Sequence, residues 1–139
     1  MRNSALIFLL LITNLCFAKE PYTGADYSGV YNCTGEDSHE GPYTGFVALT
    51  LVPEQSTGIY GAYEFKLDVP EYGIYLGQAA SENDVMGINF ALTNPEPKDY
   101  GTGIARFTKT KDGKWTFKKY YYETEFKGGN YGIEVCTLQ

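Results

Sequence analysis

The chain has 139 residues, 16% of them aromatic, and its 17 acidic residues outnumber 11 basic ones to leave a formal net charge of −6. This length suits one compact domain with a single core. The acidity argues against nucleic acid and anionic membrane as main partners, because both reward positive charge.

At the amino terminus, Arg2 precedes an apolar run from Ala5 to Ile12, and Cys16-Phe17-Ala18 places small residues where a signal peptidase needs them. The expectation is a signal peptide, Met1 to Ala18, with export to the periplasm or the outside. The apolar run is shorter than the roughly 20 residues of a membrane span, and no later run approaches that length. Thr13-Asn14-Leu15 before Cys16 is not a lipidation box, so Cys16 is expected to leave with the leader. An extension (residues 19–27) and a single domain (residues 28–139) then follow.

From Ser28 onward, apolar and polar residues alternate with period two, and no stretch sustains a helical period. The predicted strands are Ser28 to Thr34, Tyr43 to Val52, Gly58 to Asp68, Tyr72 to Ser81, Asp84 to Leu92, Tyr100 to Lys109, Trp115 to Glu123 and Tyr131 to Leu138. They are rich in Tyr, Phe, Val, Ile and Thr, which suit a pleated surface. Met86, Ile88, Phe90 and Leu92 face one way, opposite Gly87, Asn89 and Ala91. Every proline falls between strands or at a strand end, where a missing N–H breaks no ladder. Asp112-Gly113 reads as a tight hairpin turn and Gly128-Gly129-Asn130 as a looser one.

Eight short strands with short connections form either an antiparallel sandwich or a closed barrel. Two cysteines remain after the leader, and in an oxidising compartment they pair. Cys33 lies on the first predicted strand and Cys136 on the last, and those strands meet in a meander only if the sheet closes. The predicted fold is therefore an all-β, eight-stranded, up-and-down barrel closed by a Cys33 to Cys136 disulfide. Glycines within strands allow the bends a small barrel needs, and neighbouring tyrosines can cover their bare backbone.

Candidate chemistry is sparse. His39 is the single histidine, in the acidic stretch Gly35 to Gly41, and without a spaced partner it is a poor match to zinc. No serine has a nucleophile-elbow setting. Glu123 and Glu125 could pair for acid/base work, but 17 acidic residues make chance proximity the stronger account. Lys109, Lys111, Lys114, Lys118 and Lys119 surround the Asp112-Gly113 turn beside Trp115 and read as outward charges on a solvated hairpin. Asn32-Cys33-Thr34 is formally a glycosylation sequon that strand and disulfide would hinder. No enzyme activity, cofactor or metal is expected.

Gly29-Val30-Tyr31-Asn32 and Gly58-Ile59-Tyr60-Gly61-Ala62-Tyr63 resemble the early strands of avidin-type barrels within the lipocalin-like group. The resemblance implies a ligand-bonding role for Tyr63, with Asn32 as a polar neighbour. Trp115 alone stands where that family carries several tryptophans, so biotin is not implied. Tyr31-Asn32-Cys33 with Cys136 also resembles the small periplasmic lysozyme inhibitors. Their Ser-Gly-x-x-Tyr element survives only in displaced form, as Ser28-Gly29-Val30-Tyr31.

The 13 tyrosines add walls and hydroxyls that could orient a small ligand. The expected function is a non-enzymatic binding module holding a small, partly apolar ligand at the barrel mouth, through Tyr31, Asn32, Tyr63, Phe65, Tyr75, Trp115 and Tyr121. The alternative is a protein-interaction or inhibitor barrel that engages a partner through its acidic half. Lys19 to Pro97 holds two basic and twelve acidic residues, against eight and five from Lys98 to Gln139. A monomer is expected.

Overall fold

The structure, a computed structural model, describes residues 18–139. The predicted leader, apart from Ala18, lies outside the described residues. The eight strands run in chain order as β1 (Gly29–Asp37), β2 (Gly41–Leu51), β3 (Tyr60–Val69), β4 (Gly73–Glu82), β5 (Val85–Leu92), β6 (Tyr100–Lys109), β7 (Trp115–Glu123) and β8 (Asn130–Leu138). Each pairs antiparallel with its sequence neighbours, and β1 pairs with β8 to close the barrel. Among the described residues no helix is long and apolar enough to cross a membrane.

Closure follows from the period-two pattern. Along β5, Met86, Ile88 and Phe90 are buried inside, while Gly87, Asn89 and Ala91 face solvent. Tyr63, Phe65 and Leu67 on β3 do the same. Ile74, Leu76 and Gln78 form the outward face of β4, with Leu76 53% exposed; Tyr75 and Ala79 turn inward. On β7, Tyr121 is inside and Tyr120 and Tyr122 are outside.

The disulfide closes the seam from within. Cys33 and Cys136 are directly opposed on β1 and β8, with Cα atoms 4.1 Å apart, and both are buried. Strand β1 extends past the predicted Thr34 to Asp37, because Thr34 to Asp37 pair with β2 and β8 on both sides. Much of the acidic stretch left between the first two predicted strands is thus sheet, and Ser38 to Glu40 alone form the turn.

One end of the barrel is stoppered. Residues 19–27 fold back over it, anchored by Thr23 N–H to Gly58 C=O at 2.7 Å and by the Tyr63 hydroxyl to Ala25 C=O at 3.1 Å. Tyr27 then enters the interior, stacking on Phe107 at 4.0 Å and meeting Trp115 edge-on at 4.8 Å. Tyr31, Phe117 and Phe107 continue this aromatic fill. Such packing leaves this end apolar and full, so any opening must lie opposite, beneath the turns β1–β2, β3–β4, β5–β6 and β7–β8.

Candidate functional site

At that opposite end lies a cavity of about 70 Å³ lined by Leu67, Val69, Phe90 and Phe126, by Tyr43, Tyr72, Tyr75 and Tyr121, and by Asp37, Asp99, Lys119 and Glu123, with Glu40 at its edge. It holds a few waters or the head of a slender ligand, well below the roughly 300–1,000 Å³ of a drug-sized site.

The floor is an ion pair. Lys119 on β7 and Glu134 on β8 are direct cross-strand partners, both turned inward by the alternation, with Nζ and Oε1 2.8 Å apart. Their side chains are 1% and 0% exposed. The ammonium also faces the rings of Phe65, Phe90 and Tyr121, at 5.1, 5.5 and 5.6 Å from their centroids. Lys119 is therefore not one of the outward charges expected around the hairpin. Its stem runs over Gly103, where an added Cβ would lie 3.0 Å from Lys119 Cγ.

Two tyrosines cross the sheet by one device. Tyr43 on β2 lies opposite Gly35 on β1, and Gly35 lies opposite Glu134 on β8. A Cβ on Gly35 would sit 2.2 Å from the Tyr43 ring, so the missing side chain is what lets that ring pass and donate its hydroxyl to Glu134 Oε2 at 2.9 Å. In mirror fashion, Tyr121 on β7 covers Gly132 on β8 and donates to Asp37 Oδ2 on β1 at 2.8 Å. Each device satisfies a buried carboxylate from two strands away.

Asp37 also accepts from the backbone N–H groups of His39 and Glu40 and from Asn130 Nδ2. Burial alone would raise its pKa, but these bonds together with that from Tyr121 outweigh it and hold the carboxyl below its ordinary value. Asp99, just before β6, accepts from the Tyr72 and Tyr75 hydroxyls at Oδ2, 3.0 and 2.7 Å away. Its Oδ1 is buried without a hydrogen-bond partner. Glu123, at the end of β7, is 4% exposed and accepts from Asn130 Nδ2. Burial, followed by repulsion from Asp99 and Asp37, lifts its pKa to about 8 against the opposing Asn130 bond. Burial raises the hydroxyls of Tyr43, Tyr75 and Tyr121 as well, so they donate at any ordinary pH.

The raised carboxyl predicts a stability profile. Glu123 keeps a proton in the folded protein that the unfolded chain releases near pH 4.5, so folding binds protons between that pH and about 8. Stability should fall across this window as pH rises, by on the order of 3 kcal/mol. Urea unfolding at intervals from pH 5 to 8 reads this slope. Glu123→Gln, which mimics the protonated form, should flatten it; an unchanged slope in that variant would place the titration elsewhere.

Of the residues singled out in the sequence, Tyr75 and Tyr121 line this cavity, and Phe65 lies below it against Lys119. Tyr31 is fully buried and donates to Tyr27 C=O, and the Tyr63 hydroxyl bonds the amino-terminal segment. Trp115 packs at the stoppered end beneath Lys109 Nζ, 3.7 Å away. Asn32 faces outward and accepts from Gln139 Nε2. The acidic residues around His39 do not converge: its ring contacts Asn130 Oδ1, Glu40 pairs with Lys127, and Glu36 is exposed. Glu125 points out to Lys98 and away from Glu123.

Sequence alone does not single out Asp37, Asp99 and Glu134 as site residues; Glu123 is set aside there as chance proximity to Glu125, and Lys119 reads as an outward charge. Strict alternation carried a signal for Lys119, Glu123 and Glu134, which share the inward parity of Phe117, Tyr121 and Cys136. Among the described residues, the one cluster with metal-ligand spacing is Cys33, Glu134 and Cys136, whose two sulfurs are bonded to each other. No family model, no curated protein and no solved structure matches the chain.

Proposed function

We propose that the protein is an exported, non-enzymatic binding module that seats a small, partly apolar ligand at the barrel mouth opposite the amino-terminal stopper. The observation that carries this reading is the pairing of a filled end with an end that keeps a lined cavity. There, Leu67, Val69, Phe90 and Phe126 offer apolar contact, and the Asp99 carboxylate and the Glu123 carboxyl offer polar anchorage. A volume of about 70 Å³ means that the ligand inserts one end and leaves the remainder at the rim. Export is supported by the leader composition of Met1 to Ala18 and by a disulfide of the kind that oxidising compartments maintain.

Native mass spectrometry of the protein isolated from its natural source tests this reading. The expected result is a bound small molecule that is lost on Val69→Trp, which fills the mouth. Protein isolated without any bound molecule would count against the reading, and a ligand retained by Val69→Trp would place the site elsewhere.

A second reading, a protein-interaction or inhibitor barrel, draws on charge. The meander gathers the acidic Lys19 to Pro97 portion onto β1–β5, where Glu36, Glu64, Glu82 and Asp84 are exposed, while Arg106 and Lys118 project from β6 and β7. A cationic protein would be steered to the first side. Its capture should weaken as salt rises; salt-independent capture would oppose this reading.

A further inference from the structure

Resting on the pocket reading above, we infer that the group inserted into the mouth is a cation, the ammonium of a small free amine, held by Asp99 and Glu123 against the faces of Tyr72, Tyr75 and Phe90.

The charges within the cavity end do not balance. Lys119 is satisfied by Glu134, its direct partner on β8. Asp37, Asp99 and Glu123 have no ion-pair partner among the described residues. Asp37 is saturated by neutral donors, namely Tyr121, Asn130 and two backbone N–H groups. Asp99 is not: one oxygen takes both tyrosine hydroxyls, and the other is a buried acceptor bonded to no fixed donor, beside a Glu123 carboxyl whose proton an entering ammonium would displace. Leaving such an acceptor unmade is unfavourable, and a charged donor would relieve it most.

The surroundings favour an organic ammonium over a metal ion. Asp37, Asp99 and Glu123 do not bring three carboxylate oxygens within 4.8 Å of one another, as a compact metal site would need. The same walls carry aromatic faces: Tyr72 and Tyr75 lie parallel with centroids 6.3 Å apart, and Phe90 meets Tyr75 and Tyr121 edge-on at 5.9 Å. Carboxylates set among aromatic faces attract an alkylammonium both by charge and by the ring quadrupole. Asp99 and Glu123, 3% and 4% exposed, are recessed beneath the rim turns. A slender free amine reaches that depth more readily than a side chain fixed on a folded partner.

The test titrates the purified protein with benzylamine and butylamine and, in parallel, with benzyl alcohol and 1-butanol, by calorimetry at about pH 8.5, where Glu123 is largely ionised and both amines are still protonated. The amines should bind at least 10-fold more tightly than the alcohols, and Asp99→Asn should abolish that preference. Glu123→Gln, which keeps the shape and the Asn130 bond, should reduce it and guards against a misfolded Asp99 variant. Equal affinity for amine and alcohol would overturn the cation while leaving a binding pocket in place. Affinity for a lysine-bearing peptide but for neither amine would overturn the free-amine source in favour of a protein partner. Binding of none of these probes would overturn the inference, whereas the function itself is judged by the molecule carried from the natural source.

Discussion

Replacing Lys119 with alanine is expected to destabilise the barrel by about 3–5 kcal/mol, among the largest effects that any single side chain outside the core aromatics should produce. The variant strands the Glu134 carboxylate, 0% exposed, with the Tyr43 hydroxyl as its remaining polar side-chain donor. It also opens a space where the lysine stem crosses Gly103 among Phe65, Phe90 and Tyr121. Glu134→Ala should be as damaging, because it leaves an ammonium buried among rings. The informative comparison is the double variant Lys119→Met/Glu134→Leu, which removes both charges while keeping volume. Replacing a whole buried pair by apolar residues is often neutral or stabilising, so the double variant should recover most of the loss. Urea midpoints of the four proteins check this. A Lys119→Ala midpoint within experimental error of the parent would mean that the pair is not buried as described.

Loss of the disulfide should be the other large effect. Cys33 and Cys136 are separated by 103 positions in sequence and join the first strand to the last. In the chain-entropy picture, opening a loop of about 100 residues removes about 4–5 kcal/mol, an upper value because the reduced chain retains some structure. Native disulfides in small domains typically contribute about 2–5 kcal/mol. At about 4 °C per kcal/mol for a domain of this size, Cys33→Ala/Cys136→Ala should melt roughly 8–20 °C lower. The effect should appear mainly in the unfolded state, so the variant should keep the parent's circular dichroism spectrum and unfold with a larger denaturant slope. Mass mapping that found both thiols free in the parent would remove the basis of this expectation.

The two effects meet at one seam. The β1–β8 pairing unites residues about 100 positions apart, the most expensive contact for the chain to reach. It is also where the interior polar groups concentrate: Asp37 comes from β1, Glu134 and Asn130 from β8, and Tyr43 and Tyr121 reach them across Gly35 and Gly132 from the flanking strands. The disulfide thus fastens the strands that carry the cavity's buried network.

Much of the architecture was legible in the sequence. Period-two alternation with proline and glycine punctuation is local information, and it identified eight strands, two of them, Tyr100–Lys109 and Trp115–Glu123, with the bounds observed. Closure was legible as well, because two cysteines on the terminal strands of a meander can meet only in a barrel. Pattern failed where side-chain class misled about burial. Asp37 fell between predicted strands, yet it is held inside by the Asn130 amide and the Tyr121 hydroxyl, donors that no local window contains. Lys119 looked like a solvated hairpin charge, although its parity within β7 is that of Phe117 and Tyr121.

The deciding difference is range. A strand's existence and its two faces follow from a repeat of two residues, so the chain alone determined an eight-stranded meander with one bridge across its ends. Which face is inside for Tyr120-Tyr121-Tyr122, and which acidic groups share a cavity, depends on register between strands far apart in sequence. Only the closed barrel decides that Lys119 opposes Glu134, that Gly35 and Gly132 leave room for a crossing ring, and that one end is filled by Tyr27 while the other retains an unpartnered Asp99 oxygen. The physical reason is that burying a charge is tolerable only where partners converge, and convergence is a property of the assembled sheet.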